Sequence, residues 1–377
     1  MTIARLADLA DPKLAPRLVV KVGSSLLVDR QGQPRRAWLE GLVAEIAAAR
    51  ARGQQVIVVS SGAIALGSRR LGMKGGGRAS LADAQAAAAV GQIALAGLWA
   101  ELLGAHDLPA AQILLTLEDL ENRPTYLNAT ATLGRLLDAG AVPIINENDS
   151  VATQEIRFGD NDRLAARVAQ AAGASAVLLL SDVDGLYDRN PKDPDAIRIE
   201  TVQGVTPDVY AMADGGSASG MGSGGMTSKL QAAEMAGLAG IALVIGSGLV
   251  DAPLARVIDK GVGTLFLPVR KAGAMKAWLG GRLRLKGSLV IDDGADRALA
   301  KGGSLLAAGI TGVDGDFARG DLVAIRRRDG TLLGKGLAEY DAAACRQLQG
   351  RHSAEHEAIL GYAPRSAVVH RDQLVLL

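Results

Sequence analysis

One cysteine, four histidines and 3% aromatic residues leave this 377-residue chain short of several kinds of chemistry. The lone Cys345 excludes an internal disulfide and suits a reducing compartment. It stands in a helical pattern (Ala342, Ala343, Ala344) as a packing residue. The histidines, His106, His352, His356 and His370, offer no Ser-His-Asp set, and the i, i+4 pair His352/His356 lacks the third clustered ligand of a zinc site. His370-Arg371-Asp372 matches a protein-kinase catalytic loop by letters only, without the downstream Asn. With so few rings, packing rests on Ala, Leu, Val and Ile. No uninterrupted apolar run approaches the ~18 residues that cross a bilayer. Asp8 and Asp11 interrupt the N-terminal apolar residues, so no signal peptide is read there. A net charge of +1 argues against a strongly basic nucleic-acid surface. What remains is a globular, cytoplasmic protein: 49% hydrophobic and 21% charged residues provide ample core, and the length suggests two or three domains.

From residue 18 to 265, short apolar runs alternate with helical patterns. Expected strands are Leu18–Val22, Gln55–Ser60, Ala110–Leu115, Val142–Asn146, Ala176–Ser181 and Ile241–Gly246. Long Ala/Leu-rich helices are expected between several of them, at Ala37–Arg52, Ala82–Leu103 and Thr125–Ala139. This alternation predicts an α/β fold, an open, mostly parallel sheet sandwiched by helices. Val177–Leu180, wholly apolar, fits a strand buried on both faces. The pattern changes after about Gly263. A Gly/Lys/Arg-rich connector gives way to shorter units: Ser288–Asp292, a helix at Ala295–Ala300, and Asp321–Arg326 with Thr331–Gly336 around the hairpin signal Asp329-Gly330. A helix at Asp341–Leu348 and a strand at Ala367–Val369 close a small mixed β domain. The expected division is 1–268, a linker at 269–284, and 285–377.

In open parallel sheets, ligands bind beyond the carboxyl ends of the strands, which selects the loops to read. Leu18–Val20 runs into Lys21-Val22-Gly23-Ser24-Ser25, where a lysine beside a glycine turn can aim a compact charge over the sheet. Val56–Val59 ends in Ser60-Ser61-Gly62-Ala63, a turn of small residues with free hydroxyls and amides. Ile144-Ile145 discharges into Asn146-Glu147-Asn148-Asp149, and Gly159-Asp160-Asn161-Asp162 precedes a helix. One N-cap explains one of those residues. Glu147, Asp149, Asp160 and Asp162 together suit a cation, either a metal or a substrate ammonium. Ser181-Asp182 follows Val177–Leu180 at a place suited to a nucleotide contact.

The segment Ser217–Lys229, SASGMGSGGMTSK, concentrates glycines among hydroxyl residues ahead of one lysine and helix-compatible sequence. Glycines let successive N–H groups turn to one anion, and a helix N-terminus adds its own. Gly220-x-Gly222-x-x-Gly225 fits the dinucleotide pattern by letters, but small polar residues stand where that motif needs a strand. The Walker tripeptide Gly-Lys-Ser/Thr is absent. Taken alone, the segment fits a flexible linker as well as a phosphate cradle. If the chemistry is phosphoryl transfer, the missing histidine base fits a carboxylate acceptor, which is already ionised at pH 7 and needs only positioning and charge neutralisation.

Five ordered motifs carry a resemblance: KVGSS at Lys21–Ser25, SSGAIALG at Ser60–Gly67, INENDSV at Ile145–Val151, FGDND at Phe158–Asp162 and SGMGSGGMTSK at Ser219–Lys229. The chain resembles the amino acid kinase superfamily over nearly its whole length, and its last segment is similar to the PUA domain that many members append. The resemblance is to members that act on glutamate at the start of proline synthesis. It implies ATP and L-glutamate as substrates, L-glutamyl 5-phosphate and ADP as products, and Mg²⁺ with the ATP. By position in the motifs, it implies that Lys21 and Lys229 stabilise the transferring phosphoryl group and contact ATP, and that Asp162 orients the lysines. Ser61, Asp149 and Asn161 would hold glutamate, with Asp160 shaping the same loop. Ser181, Asp182 and the loop Ser223, Gly224, Gly225, Met226, Thr227, Ser228 and Lys229 would contact ATP. No residue is assigned as a metal ligand. The resemblance also implies dimers or tetramers and feedback inhibition by proline. Ser24 stands where the family commonly has threonine, which keeps the hydroxyl.

Two rival readings stand beside it. A kinase for N-acetylglutamate or aspartate shares the fold, although an acetylated amine carries no charge for the acidic loops to pair. An RNA-binding or RNA-modifying protein would use the PUA-like domain, but acids and bases nearly balance there, and sequence-independent RNA affinity needs a basic surface.

Overall fold

The computed structural model describes residues 2–29, 31–151, 160–213, 224–268, 285–362 and 367–376. The expected linker at 269–284 and most of the glycine run, 214–223, lie outside them. The chain forms two compact units, residues 1–121 with 129–271, and residues 122–128 with 272–377.

Among the described residues ten strands belong to the first unit: β1 Arg17–Val22, β2 Gln55–Ser60, β3 Ala110–Leu115, β4 Val142–Glu147, β5 Ala176–Ser181, β6 Leu186–Tyr187, β7 Arg198–Ile199, β8 Thr201–Gln203, β9 Ala242–Ser247 and β10 Thr264–Leu267. Eight of them make one sheet in the order β3-β4-β2-β1-β5-β9-β10-β8, and β6 and β7 pair separately. Neighbours run parallel except β9 and β10, which are antiparallel. The central strands are mostly aliphatic because helices cover both faces. All six residues of β5 are buried. The six expected strands appear with ends within a residue of those read from the apolar runs.

Among the described residues ten helices accompany these strands along the chain: α1 Ser24–Leu27, α2 Arg36–Ala51, α3 Ala63–Arg70, α4 Leu81–Gly104, α5 Leu117–Glu121, α6 Arg123–Asp138, α7 Asp160–Ala172, α8 Pro207–Ala213, α9 Gly224–Leu238 and α10 Pro253–Ile258. Helix α4 starts where the Ser80 hydroxyl accepts the Asp83 N–H at 3.0 Å, satisfying one otherwise open helix donor. By length and composition α4 is apolar enough to cross a membrane. It holds no uninterrupted apolar run of that length because Asp83, Gln85, Gln92 and Glu101 divide it. In the fold, its Leu95, Trp99 and Leu103 are fully buried in the same core as Leu18, Val20 and Val22 of β1.

Helices α3 and α4 cross with their backbones in contact. A Cβ on Gly67 would overlap the carbonyl oxygen of Ala87, and one on Gly91 would overlap that of Ala63. Glycine at both positions is therefore a packing requirement. The crossing fixes the first turn of α3, directly after the Ser60-Ser61-Gly62 turn.

The second unit holds a five-stranded sheet in the order β12-β11-β13-β14-β15. Its strands are β11 Gly287–Ile291, β12 Ile310–Gly315, β13 Leu322–Arg327, β14 Leu332–Leu337 and β15 Leu374–Leu376. The expected hairpin at Asp329-Gly330 joins β13 to β14, with the Thr331 N–H donating to Asp329 Oδ1 at 2.8 Å. The strand expected at Ala367–Val369 is not one: Val369 makes an isolated bridge to Leu305, and the sheet closes with Leu374–Leu376 on β14. The run is apolar because it is buried in this core, with Ala367 at 5% and Val368 and Val369 at 0% exposure. Cys345 lies in the same core, where burial pushes its thiol up to about 12 and leaves a packing residue.

Candidate active site

In the first sheet, β1 has β2 on one side and β5 on the other, so the connections turn in opposite directions from it. A crevice opens at such a reversal beyond the strand ends. Side chains alternate along β1. Leu18, Val20 and Val22 enter the core shared with α2 and α4, and Lys21 points to the opposite face, where α7 packs on β1.

There Lys21 Nζ lies 2.5 Å from Asp162 Oδ1, and Lys229 Nζ lies 3.0 Å from Asp162 Oδ2. Asp162 comes from the first turn of α7 and Lys229 from the second turn of α9, which also donates to its own Gly225 carbonyl at 3.3 Å. The three are 7%, 1% and 8% exposed for Lys21, Asp162 and Lys229. Burial alone would raise the Asp162 pKa, but the charges and hydrogen bonds of both lysines outweigh it and hold the carboxyl below its ordinary 3.8. Burial pushes Lys21 below 10.5, and the nearby Lys229 charge adds to the effect, against the pull of Asp162. Two ammoniums sharing one carboxylate leave a surplus positive charge out of bulk water. A buried charge without a full complement of partners is costly, so the arrangement favours an arriving anion.

A polar chain adjoins this set. Asn161 Nδ2 donates to Ser61 Oγ at 3.0 Å and to Asn146 Oδ1 at 3.3 Å. Asn146 Nδ2 donates to Gln92 Oε1 on α4 at 2.8 Å, and the Trp99 indole N–H donates to Ser60 Oγ at 2.9 Å. Gly62 turns the chain between Ser61 and α3 at φ +109, where a Cβ would press on Leu27 Cδ2 at 2.8 Å. Asp149 is buried in the short turn Asp149–Val151, which packs against α4.

On the other side, the end of β5 carries Ser181, whose hydroxyl donates to Asp182 Oδ1 at 2.9 Å. Asp182 lines a cavity of about 280 Å³ with Asp184, Tyr187, Ser247, Val250 and Arg256. Gly224 and Gly225 open α9, Met226 and Thr227 are half-buried in it, and Ser228 is buried beside Lys229. Ser223 lies outside the described residues, and Asp160 opens α7 with its side chain outside them. The structure thus brings Lys21, Asp162 and Lys229 together, and Ser61 with Asn161. Among the described residues no three His, Cys, Asp or Glu side chains gather as metal ligands.

Sequence reasoning passed over Gln92 and Trp99. The signal for Gln92 was an amide between Gly91 and Ile93 in an Ala/Leu helix. For Trp99, an indole facing a strand-end serine, nothing local announced the role.

An amino acid kinase family model matches residues 16–247. The chain belongs to the amino acid kinase family. A PUA domain model matches residues 287–360 of this amino acid kinase. The glutamate 5-kinase of Novosphingobium aromaticivorans is 69% identical over 377 residues, 100% of both chains. That of Sphingopyxis alaskensis is 61% identical over 370 residues, covering 98% of this chain and 100% of its own. Carbamate kinase from Giardia lamblia, solved with AMP-PNP, matches at a TM-score of 0.50 and 14% identity, covering 67% of this chain and 98% of that one. The last is a likeness of fold alone.

Proposed function

We propose that this amino acid kinase transfers the γ-phosphoryl group of ATP to the γ-carboxylate of L-glutamate, giving L-glutamyl 5-phosphate and ADP, the first step of proline synthesis. The observation that carries the reading is the Lys21–Asp162–Lys229 set, a buried surplus positive charge at the carboxyl ends of the strands. The relatives named glutamate 5-kinase, identical at 69% and 61%, supply the acceptor.

A γ-carboxylate oxygen attacks the γ-phosphorus while the bond to the β,γ-bridging oxygen breaks and ADP leaves. The acceptor's pKa near 4.3 makes it ionised without a base. Lys21 and Lys229 neutralise charge on the transferring group, and Asp162 holds both at fixed positions. Ser61, Asn161 and Asp149 hold glutamate, with Asp160 shaping that loop. Ser181, Asp182 and the start of α9 hold ATP, whose nucleoside has the cavity beside Asp182 to occupy. The donor set fits a divalent ion carried by the nucleotide: Asp162 is engaged by two lysines, no ring of ligands surrounds it among the described residues, and Mg²⁺ keeps few protein ligands when phosphates supply the rest. When bound, the ion would screen phosphate charge. A cytoplasmic homo-oligomer, dimer or tetramer, with proline competing at the glutamate loops, completes the proposal.

The test is ATP turnover with glutamate, N-acetylglutamate and aspartate, trapping the acyl phosphate with hydroxylamine. Hydroxamate formed from glutamate, well above the other two, is the expected result. A preference for either rival acceptor overturns the assignment.

A further inference from the structure

We infer that Gln92, half-buried on α4, braces Asn146 in the orientation that aims Asn161 Oδ1 at the substrate, making it a positioning residue for the amine of the substrate. The inference rests on the proposed glutamate site and adds a residue that touches no substrate.

An amide side chain can face a partner either way round, and its neighbours decide which. Asn146 has one neighbour that can only donate. The backbone N–H of Glu147 lies 2.9 Å from Asn146 Oδ1, which must therefore be an acceptor. Its Nδ2 is then turned to Gln92 Oε1 at 2.8 Å. Because Asn146 Oδ1 accepts, the group of Asn161 facing it at 3.3 Å must be Nδ2, which donates also to Ser61 Oγ at 3.0 Å. That orientation commits Asn161 Oδ1 to the remaining direction. The atom is buried and accepts no hydrogen bond from any described residue. An acceptor left in this way suits the ammonium of an α-amino acid, whose charged N–H groups donate more strongly than the single N–H of an acylated amine.

Gln92 is well placed for the task. Its neighbour Gly91 is locked against the carbonyl of Ala63. One face of α4 therefore holds both the Ser60–Ser61 turn, through Trp99, and the Asn146–Asn161 pair, through Gln92.

The test measures glutamate KM, ATP KM and kcat in wild type, Gln92→Leu, Gln92→Met and Gln92→Glu, together with inhibition by glutarate, the same dicarboxylate without the amine. Leu and Met remove the acceptor, and Met keeps the length should Leu disturb packing. Glu keeps an acceptor oxygen in either protonation state. The expected result is a glutamate KM raised about 10-fold in the Leu and Met variants, the equivalent of one hydrogen bond. ATP KM and the glutarate inhibition constant should stay within about twofold, and Gln92→Glu should fall near wild type. An unchanged glutamate KM in the Leu and Met variants overturns the inference while leaving the site reading intact. So does equal loss in all three variants, or a parallel loss of glutarate binding. Absence of glutamate turnover by the wild type overturns the site reading, and the inference with it.

Discussion

Lys21 and Lys229 engage opposite oxygens of one carboxylate, that of Asp162. They come from the first strand of the sheet and from a helix near the end of the first unit, so their spacing is set by the fold and not by local sequence. Removing the charge of Asp162 would leave two ammoniums facing each other out of water. Asp162→Asn should cost about 3–5 kcal/mol of stability, the scale for breaking a buried pair. Urea denaturation measures the loss, and turnover should fall with it as the lysines separate. A variant of unchanged stability would deny Asp162 its place between the lysines.

Lys229→Ala should reduce kcat by roughly 10²–10³-fold, the scale for deleting one preorganised charge that acts on the transition state. The KM values should move less, since that stabilisation grows as the phosphoryl group transfers. Steady-state kinetics with glutamate saturating checks it, and near-normal turnover would remove Lys229 from the clamp.

The depressed pKa of Lys21 couples activity and stability in opposite directions. Its folded pKa lies below the unfolded 10.5, so between the two values the unfolded chain binds more protons and stability rises with pH. Over the same window the clamp loses a charge, and kcat should fall. The measurement is a kcat profile beside urea midpoints from neutral pH to about 10.5. Lys21→Arg, which stays protonated, should flatten the kinetic limb.

Much of this site was legible before any fold was known, and the reasons are local. Lys21, Ser61, Asn146 and Ser181 stand at the ends of aliphatic runs, and a buried parallel strand announces both itself and its carboxyl end. The acidic loops were legible for the same reason. The pairing of Lys21 with Lys229 came from a resemblance, because nothing in either segment encodes a partner so far along the chain. Gln92 and Trp99 escaped notice because a helix interior gives no sign of which strand end it will meet. In the second unit, Ala367–Val369 looked like a strand because its apolar character signals burial, which a core-facing bridge also requires. The strand Ile310–Gly315 was not expected: its glycines and aspartate weaken the pattern, and its pairing with Gly287–Ile291 is a tertiary fact.

Asp149→Ala should chiefly raise the KM for glutamate. Asp149 is 9% exposed in a turn that packs on α4, the helix that also holds Asn146. A nearly buried carboxylate suits the substrate ammonium, and its loss should weaken glutamate by about 10- to 100-fold, the scale for a hydrogen bond to a charged group. Initial rates over both substrates separate the outcomes. A change confined to ATP KM would move Asp149 to the other side of the site.

The glycine crossing supplies a prediction about stability far from any charge. Gly67 and Gly91 let α3 and α4 meet backbone to backbone, and a Cβ at either position would overlap a carbonyl oxygen of the other helix. Neither carbonyl can rotate away, since each belongs to a helix or its first turn, so the helices themselves must separate. Gly91→Ala should therefore destabilise the protein by about 1–3 kcal/mol or more, despite the better helix propensity of alanine. A control at Gly97, on the same helix with open space around its Cβ position, should instead be neutral or stabilising as alanine. Thermal midpoints of the two variants compare packing directly with propensity. Because the crossing fixes the first turn of α3, the surviving Gly91→Ala protein should also bind glutamate more weakly through displacement of Ser61. Equal midpoints for the two variants would show that the helices do not meet this closely.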